Sequence, residues 1–268
     1  MARILAISSE VARGHVGLSA IVPALHALGH DVVALPTILL SNHPGHPHVA
    51  GERVSPDLLI RMLDALETNG WLSEITEVLT GYLPTPEHVA FAANAVARIK
   101  ATNPHASFTC DAVLGDEPKG LYIAEAAAAA IRDMLVPQAD VVKMNRFEAQ
   151  WLTGKSIASP ADATTIARQA AWSEAVMTSL PVPEGNDLAN VRIVSGATAE
   201  ASHVAARSAV PKGTGDLLAG LLVGYRALGT MPPEQAFKIA VASVDRVVAK
   251  SLGRDELQLI ASLPELSP

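Results

Sequence analysis

The sequence is poor in cysteine, in aromatic residues and in charge, and each shortage excludes a class of protein. A single cysteine, Cys110, excludes an internal disulfide and fits a reducing compartment. Aromatic residues make up only 4% of the 268 residues, whereas alanine is abundant, a composition typical of closely packed helices. Hydrophobic residues reach 49% and charged residues only 18%, which excludes a disordered chain and predicts a sizeable buried core.

The chain also lacks the basic surplus and the long apolar run that indicate a nucleic-acid or a membrane partner. Its formal net charge is -7, whereas nucleic-acid-binding proteins usually present a basic face. No apolar run approaches the ~18 residues of a membrane span, and the apolar segment after Arg3 is too short for a signal-peptide core. We therefore expect a soluble, cytoplasmic protein with neither kind of partner.

Short apolar runs alternate with helical patterns from the start of the chain. Arg3 to Ser8 is predicted to be a buried strand, Leu18 to Leu28 an amphipathic helix, and Asp31 to Leu35 a second strand. This order predicts an α/β fold, with a mainly parallel sheet covered by helices on both faces. Ligands of such sheets lie beyond the carboxyl ends of the strands. No linker or repeat interrupts the alternation, so one domain spanning 1–268 is expected.

The rest of the chain continues the same alternation. Further predicted strands are Glu77 to Leu79, Ser107 to Val113, Asp140 to Lys143, Glu174 to Thr178, and an antiparallel pair of Val191 to Ser195 and Ala201 to Ala206. Further predicted helices are Pro56 to Thr68, His88 to Lys100, Glu125 to Leu135, Asn145 to Leu152, Ala161 to Trp172, Leu217 to Leu228 and Pro233 to Ser251. The segments Ser9 to Gly17 and Ser179 to Leu188 are predicted loops.

The most informative segment runs from Lys212 to Asp216 and leads directly into an apolar helical run. Gly213 and Gly215 bracket Thr214, and glycine permits positive φ and close approach of a ligand to the backbone. The free N–H groups at the start of the helix, together with its dipole, favour a bound anion. Asp216 has two interpretations, an ordinary helix cap or a general base beside a phosphate site.

Two other loops contain residue types that bind ligands. His43, His46 and His48 lie close together, but a zinc site needs partners at fixed spacing elsewhere, so a solvated or substrate-facing loop is favoured. The segment that holds Asp111 and Asp116 is acidic. It is either a solvated turn or a loop that faces magnesium or phosphate.

Four motifs occur in a fixed order along the chain, and together they resemble one family. They are Gly14-His15-Val16-Gly17, Ser41-Asn42-His43, Gly81-Tyr82-Leu83 and Gly213-Thr214-Gly215-Asp216. The last motif resembles the ribokinase-like superfamily in general, and the first three narrow the resemblance to its pyridoxal kinase branch. The resemblance implies a three-layer α/β fold of the ribokinase-like type. It also implies transfer of the ATP γ-phosphoryl group to the 5′-hydroxymethyl group of pyridoxal, pyridoxine or pyridoxamine.

The resemblance further implies roles for the residues at matching positions. Asp216 is implied to be the catalytic base, and the backbone N–H groups of Gly213, Thr214 and Gly215 to stabilise the transferred phosphoryl group. The implied substrate-side residues are Ser9, Thr37, His43, Tyr82 and Asp216. The implied nucleotide-side residues are Asp111, Asp116, Asn145, Glu148, Thr178, Ser179, Lys212, Gly213 and Gly215, with Asp111 and Glu148 also facing the metal. The implied cofactors and partners are ATP, Mg²⁺, a monovalent cation such as K⁺, a B6 vitamer as substrate, and a second copy of the chain in a homodimer.

The sequence also departs from the family pattern. Glu10 stands where many relatives have histidine and Arg13 where tyrosine is common, which leaves the specificity for the pyridine ring open. The segments 153–172 and 191–210 are short, which predicts a trimmed nucleotide edge. Two alternatives therefore stay open. One is a hydroxymethylpyrimidine kinase, which shares the fold and the last motif, and the other is a B6-binding homologue with little catalysis.

Overall fold

In the computed structural model, which describes residues 1–183 and 185–267, strands and helices alternate along the chain. The strands are β1 (Arg3–Val11), β2 (Asp31–Leu40), β3 (Gly51–Arg53), β4 (Glu77–Thr80), β5 (Ser107–Asp111), β6 (Gly115–Asp116), β7 (Gly120–Leu121), β8 (Val141–Asn145), β9 (Glu174–Pro181), β10 (Asp187–Val194) and β11 (Glu200–Ala205). The helices are α1 (Leu18–Ala27), α2 (Pro56–Thr68), α3 (Pro86–Thr102), α4 (Glu125–Ala130), α5 (Arg146–Thr153), α6 (Pro160–Gln169), α7 (Thr214–Ala227), α8 (Pro233–Ser251) and α9 (Leu259–Ser262).

Within the described residues, nine strands form one sheet in the order β11-β10-β9-β8-β5-β4-β1-β2-β3. Strands β1, β2, β4, β5, β8 and β9 run parallel to one another. Strands β3, β10 and β11 pair in the antiparallel sense at the two edges. The predicted mainly parallel sheet is therefore confirmed, and β6 and β7 form a separate short hairpin.

Successive side chains of β1 point to opposite faces of the sheet, and each face packs against helices. Ile4 and Ala6 belong to a buried cluster with residues of α1 and α7. Leu5 and Ile7 belong to a second buried cluster, with residues of α2 and α3. The sheet is thus the middle layer of three, as predicted. No helix in the described part of the chain is both long enough and apolar enough to cross a membrane.

Several strands extend further toward their carboxyl ends than predicted, most of all β1 to Val11, β2 to Leu40 and β9 to Pro181. The register of β1 and β2 shifts after Ser8, and pairing then resumes between Glu10 and Leu39. The additional segments contain Ser9, Glu10, Pro36, Ser179 and Pro181, residue types that favour loops, and pairing with the neighbouring strand keeps the segments extended.

Other boundaries differ where a loop or cap occupies the end of an element. The predicted helix from Glu125 is α-helical only to Ala130 and continues as a π-helical turn through Leu135. Asn145 is the last residue of β8 and the cap of α5, whereas it was predicted to be the first residue of a helix. The hairpin of β6 and β7 lies in the acidic segment, where only a loop was predicted.

Candidate functional site

The predicted site residues come together at the carboxyl edge of the parallel sheet. The chain passes from β1 outward to β2 and then crosses back to β4 on the other side of β1, so the strand order reverses between β1 and β4. Such a reversal is where open α/β sheets bind ligands. Along this edge stand Ser9 of β1, Thr37 of β2, Asp111 of β5, Asn145 of β8 and Thr178 of β9.

The loop before α7 reaches this reversal point and packs against the loop after β1. Gly213 has φ 103°, and a Cβ atom there would lie 1.8 Å from the carbonyl oxygen of His15, so only glycine fits. Asp216 follows in the first turn of α7. Burial raises the pKa of Asp216, while the nearby backbone N–H of Gly17 and the charge of Lys143 oppose the rise. A carboxylate with a raised pKa thus stands beside exposed helix N–H groups.

On the side of β1 and β2, two hydroxyl groups hold the backbone of Tyr82. The Thr37 hydroxyl donates a hydrogen bond to the Tyr82 carbonyl at 2.7 Å. The Ser8 hydroxyl accepts one from the Tyr82 N–H at 3.0 Å. Thr37 is 0% exposed, so its hydroxyl faces the Tyr82 backbone. The Tyr82 ring is half-buried at this edge, and burial raises the pKa of its phenol.

His43 lies in the loop between β2 and β3, near the mouth of the same site. Its Nδ1 accepts a hydrogen bond from the Gly45 N–H at 2.9 Å. Burial lowers the pKa of His43, and the nearby Lys212 and Lys119 lower it further. His43 and Lys212 line one small cavity of about 40 Å³, together with Arg13 of the loop after β1. The histidine loop therefore faces the loop before α7.

On the other side, Asn145 and Glu148 form a reciprocal cap at the start of α5. Asn145 Oδ1 accepts from the Glu148 N–H at 2.9 Å, and Glu148 Oε2 accepts from the Asn145 N–H at 2.7 Å. Glu148 Oε1 also accepts from the Leu114 N–H at 3.0 Å, and Asn145 Nδ2 donates to the Gly115 carbonyl at 2.8 Å. Burial raises the pKa of Glu148 to about 8. The cap thus fixes the β6–β7 hairpin in place.

Asp116 extends from this hairpin toward the loop before α7. Lys212 Nζ donates a hydrogen bond to Asp116 Oδ2 at 3.3 Å. The other oxygen, Oδ1, is buried and has no hydrogen-bond partner among residues 1–183 and 185–267. A buried acceptor of this kind is rare in native proteins and requires an explanation, such as a bound ion.

Asp111 has a partner that sequence reasoning missed. Lys143 Nζ donates to both carboxylate oxygens of Asp111, at 2.9 Å each, and to the Gly215 carbonyl at 3.1 Å. Burial raises the pKa of Asp111 to about 6, and Lys143 opposes the rise. Burial alone would lower the pKa of Lys143, but Asp111 and Glu148 outweigh it and raise the pKa. The available signal was a lysine at the end of a predicted buried strand, where a charge needs a partner.

Thr178 and Ser179 stand beside Asn145, because the register of β8 and β9 pairs Asn145 with Thr178. Ser179 is exposed and has φ 60°, in the left-handed region that non-glycine residues rarely adopt. Conformations of this kind cluster at functional sites. All the predicted site residues therefore lie at one edge of the sheet or in loops around it. A groove of about 530 Å³ lies at the opposite edge, beside Trp172, and contains none of them.

No group of three or more histidine, cysteine, aspartate or glutamate side chains in the described residues is arranged to hold a metal by itself. The carboxylates at this edge are instead dispersed over β5, the β6–β7 hairpin, α5 and α7. Carboxylates in such an arrangement can share a cation with the phosphates of a nucleotide, as Mg²⁺ sites commonly do.

Comparisons with known proteins identify the family of this chain. A family model described as phosphomethylpyrimidine kinase matches residues 17–259. The pyridoxal kinase PdxY of Deinococcus radiodurans is 31% identical, over 98% of this chain and 92% of its own length. The pyridoxal kinase of Arabidopsis thaliana is 30% identical, over 93% and 82% respectively.

Solved structures are similar over almost the whole chain. Pyridoxal kinase from Entamoeba histolytica superposes with a TM-score of 0.92 at 27% identity, covering 99% of this chain and 95% of that one. Pyridoxal kinase from Leishmania donovani, in complex with ADP and pyridoxamine, superposes with a TM-score of 0.90 at 28% identity, covering 98% and 95%. The chain therefore belongs to the pyridoxal kinase family of the ribokinase-like superfamily, as its four motifs predicted.

Proposed function

We propose that the chain is an ATP-dependent kinase that phosphorylates the 5′-hydroxymethyl group of pyridoxal, and of pyridoxine and pyridoxamine. One observation carries this proposal. Asp216 stands in the first turn of α7, with Gly17 of the loop after β1 on one side and with Asp111 of β5 and Lys143 of β8 on the other. An alcohol bound on the first side and a nucleotide bound on the second would meet at this carboxylate.

In this proposal Asp216 accepts the proton of the attacking hydroxyl group. A raised pKa suits this task, because a general base works best when its pKa lies closer to the working pH. The N–H groups of Gly213, Thr214 and Gly215 stabilise the negative charge of the transferred phosphoryl group. Preformed donors of this kind supply much of the catalysis in phosphoryl transfer.

The substrate-side roles divide between contact and positioning. Tyr82 presents a half-buried ring on which a pyridine can stack, and Ser9 and His43 offer polar groups at the same mouth. Thr37 is assigned a positioning role, since its buried hydroxyl bonds the Tyr82 carbonyl. The curated relatives with pyridoxal kinase names support a B6 vitamer as the substrate.

The nucleotide side fits ATP with Mg²⁺. Lys212 and Ser179 can meet phosphate oxygens, and Thr178 and Asn145 border the same place. The carboxylates of Glu148 and Asp116 fit an oxygen-preferring dication, and the buried Asp116 Oδ1 is an acceptor that lacks a protein partner among the described residues. Bound Mg²⁺ would neutralise charge on the phosphates. Both oxygens of Asp111 already face the buried ammonium group of Lys143, which would repel a dication, whereas the hydrogen-bond partners of Glu148 are neutral N–H groups; we therefore assign the metal-facing role to Glu148 and Asp116.

Further proposals rest on the resemblance. They are a single kinase domain spanning residues 1–268, a homodimer, a cytoplasmic location and a requirement for a monovalent cation such as K⁺. The continuous sheet of the described residues supports the first. Sedimentation of the purified chain tests the dimer, and turnover with K⁺ replaced by a bulky organic cation tests the ion requirement.

The test of the function is a time course of phosphoryl transfer from MgATP to pyridoxal, with hydroxymethylpyrimidine and ribose as competing acceptors. We expect product from pyridoxal, and a loss of about 10²–10⁴-fold in kcat for Asp216→Asn with pyridoxal binding retained. Asp57→Asn, an exposed aspartate in the first turn of α2, is the matched control and keeps wild-type kcat.

The same experiment separates the alternatives. The family model described as phosphomethylpyrimidine kinase supports hydroxymethylpyrimidine as the second candidate substrate. Product from hydroxymethylpyrimidine alone would show that this compound, and not pyridoxal, is the substrate. Binding of pyridoxal without any phosphorylated product would identify a B6-binding homologue and overturn the kinase proposal.

A further inference from the structure

Lys143 is a buried cation at the centre of the site that no motif assigns. It is 5% exposed and lies in β8, and its partner Asp111, at the end of β5, is 2% exposed. The three N–H bonds of its ammonium group have three oxygen partners, two on Asp111 and one on the backbone of Gly215. One side chain therefore joins two strands of the sheet to the loop before α7.

Lys143 contacts the backbone immediately before Asp216, so it can orient that residue. The Gly215 carbonyl belongs to the peptide that also carries the Asp216 N–H, and a trans peptide holds these two groups on opposite sides. The Asp216 N–H in turn lies beside the carboxylate of the same residue and acts on its pKa. Because Lys143 fixes the carbonyl, it also fixes the direction of the N–H and, through it, the carboxylate.

The residue at position 215 leaves room for the ammonium group. A Cβ atom on Gly215 would lie 3.1 Å from Lys143 Nζ, tighter than nine in ten contacts that real Cβ atoms make. This glycine does not have a positive φ, so backbone conformation does not explain it. Close approach of Lys143 does.

The charges around Lys143 are acidic. Asp111, Glu148 and Asp216 are all near enough to interact with it electrostatically. Of the lysine and arginine side chains in the described residues, only Lys143 and Arg192 are buried, and Arg192 is paired with Glu174 on another part of the sheet. Lys143 is thus the buried cation that neutralises these carboxylates, and its loss would leave their negative charge in the interior without a partner.

We propose that Lys143 is a positioning residue for phosphoryl transfer, a tethered ammonium group that holds the loop of Gly213 to Asp216 in its anion-binding arrangement. This inference rests on the proposed function only in that the loop receives a phosphate. The nucleotide then meets a preformed loop, and Asp216 meets the hydroxyl group at a fixed angle. Lys143 itself need not touch the substrate.

The test uses Lys143→Met, which keeps the approximate length of the side chain without its charge. Its control is Lys238→Met, because Lys238 is an exposed lysine of α8. Lys143→Met should lower kcat about 10²-fold, the typical loss from a small misplacement of reacting groups. It should also weaken ADP binding about tenfold, the equivalent of one lost charge-assisted hydrogen bond. The Kd of pyridoxal should stay at the wild-type value, because its side of the site is intact. Lys238→Met should match the wild type in all three.

Chemical rescue distinguishes positioning from mere folding. Lys143→Ala leaves room for an added amine, so ammonium or methylammonium chloride should restore part of its kcat and of its ADP affinity at a constant K⁺ concentration, whereas tetramethylammonium at equal ionic strength should not. Hydrogen exchange of the backbone amides of 213–216 should be faster in the variant and slow again with ammonium. If Lys143→Met does not fold by circular dichroism, Lys143→Gln replaces it, because its amide can still bond one oxygen of Asp111.

Wild-type kcat and wild-type ADP affinity in the folded variant would overturn the inference. An equal loss of ADP and pyridoxal binding, without rescue by ammonium, would also overturn it, because it indicates general damage. ADP binding is measured without any acceptor alcohol. A failure of the proposed function would appear as absent product from pyridoxal in the wild type, and the Lys143 test would still stand.

Discussion

The backbone N–H of Gly17, immediately before α1, faces the carboxylate of Asp216 in the first turn of α7 and opposes the rise of its pKa on burial. The N-termini of two helices therefore meet at one carboxylate. α1 and α7 also pack side by side on the same face of the sheet. The orientation of the proposed base thus depends on the loop after β1 as well as on its own loop, and this dependence can be tested at the glycines.

Gly17→Ala should damage both the stability and the activity of the protein. A Cβ atom at this position would lie 2.1 Å from the carbonyl oxygen of Ser9, so the loop must move and carry the Gly17 N–H away from Asp216. We expect a cost of about 2–4 kcal/mol in the free energy of unfolding, from overpacking at a constrained backbone. We also expect a fall of about 10²-fold in kcat, from the misplaced base.

The control lies at the other end of the same helix. Gly29 follows α1 with φ 79°, and a Cβ atom there would meet nothing within 4 Å. Gly29→Ala should cost only about 1–2 kcal/mol, the penalty for a side chain at positive φ, with kcat unchanged. Urea unfolding and steady-state kinetics measure both variants. Equal losses of kcat in the two would show that the contact of Gly17 does not orient Asp216.

Thr37→Val should impair the pyridoxal side of the site selectively. The substitution keeps the shape of the buried side chain but removes the hydroxyl group that donates to the Tyr82 carbonyl. A buried acceptor left unpaired costs about 1–3 kcal/mol, and the Tyr82 ring loses one of its anchors. KM for pyridoxal should rise, and KM for MgATP should stay constant. Thr37→Ser, which keeps the hydroxyl group, should restore the wild-type values. Loss of pyridoxal affinity in Thr37→Ser as well would assign the effect to packing of the methyl group.

The free energy of unfolding should depend on pH through Glu77, at the start of β4. Burial raises the pKa of this carboxyl group from an ordinary 4.5 to about 7, with Arg226 and Ser107 opposing the rise. The folded state therefore binds the proton more tightly than the unfolded state. The contribution of Glu77 to stability is fully present below pH 4.5 and is lost as the pH rises through 7.

Glu77→Gln removes this dependence, because the amide resembles the protonated acid. At pH 8 the variant should be more stable than the wild type by about 1–3 kcal/mol, and near pH 4.5 the two should be equal. Glu52→Gln, at an exposed position of β3, should show no such crossover. Urea unfolding at both pH values measures the difference. A difference that is the same at both would contradict the assignment to Glu77.

The sequence predicted those parts of the site whose residues are neighbours in the chain. Gly213 and Asp216 stand three positions apart at the start of a helix, so spacing alone indicates an anion site with a carboxylate beside it. Asn145 and Glu148 are also predictable from local sequence, since a reciprocal helix cap joins residues three positions apart. The family resemblance added the substrate, which no local spacing contains.

The contacts of the site that the sequence did not predict depend on which strands are neighbours in the sheet. Asp111 and Lys143 are separated by 32 positions, and they meet because β5 and β8 are adjacent in the sheet. The order of strands is a property of the whole fold, so no local pattern predicts this pair. The carboxyl end of β1 also escaped prediction from local sequence, because Glu10 is extended where it pairs with Leu39 of β2.

The last prediction concerns Ser179, the exposed residue of β9 with φ 60°. In our proposal its hydroxyl group contacts a phosphate, and the left-handed backbone aims it there. Ser179→Ala removes the hydroxyl group and keeps the strain. Ser179→Gly removes both, and its relief of about 1–2 kcal/mol is largely offset by the greater freedom of glycine in the unfolded chain. The free energy of unfolding should therefore change little in either variant.

Both Ser179 variants should lower kcat/KM for MgATP about tenfold, the loss expected for a hydrogen bond to a charged group, with KM for pyridoxal unchanged. Ala171→Gly is the matched control, because Ala171 has φ 56° and follows α6 at the opposite edge of the sheet. It should keep wild-type kinetics. If Ser179→Gly loses MgATP affinity and Ser179→Ala does not, the backbone conformation rather than the hydroxyl group is what the nucleotide requires, because only the backbone distinguishes the two variants.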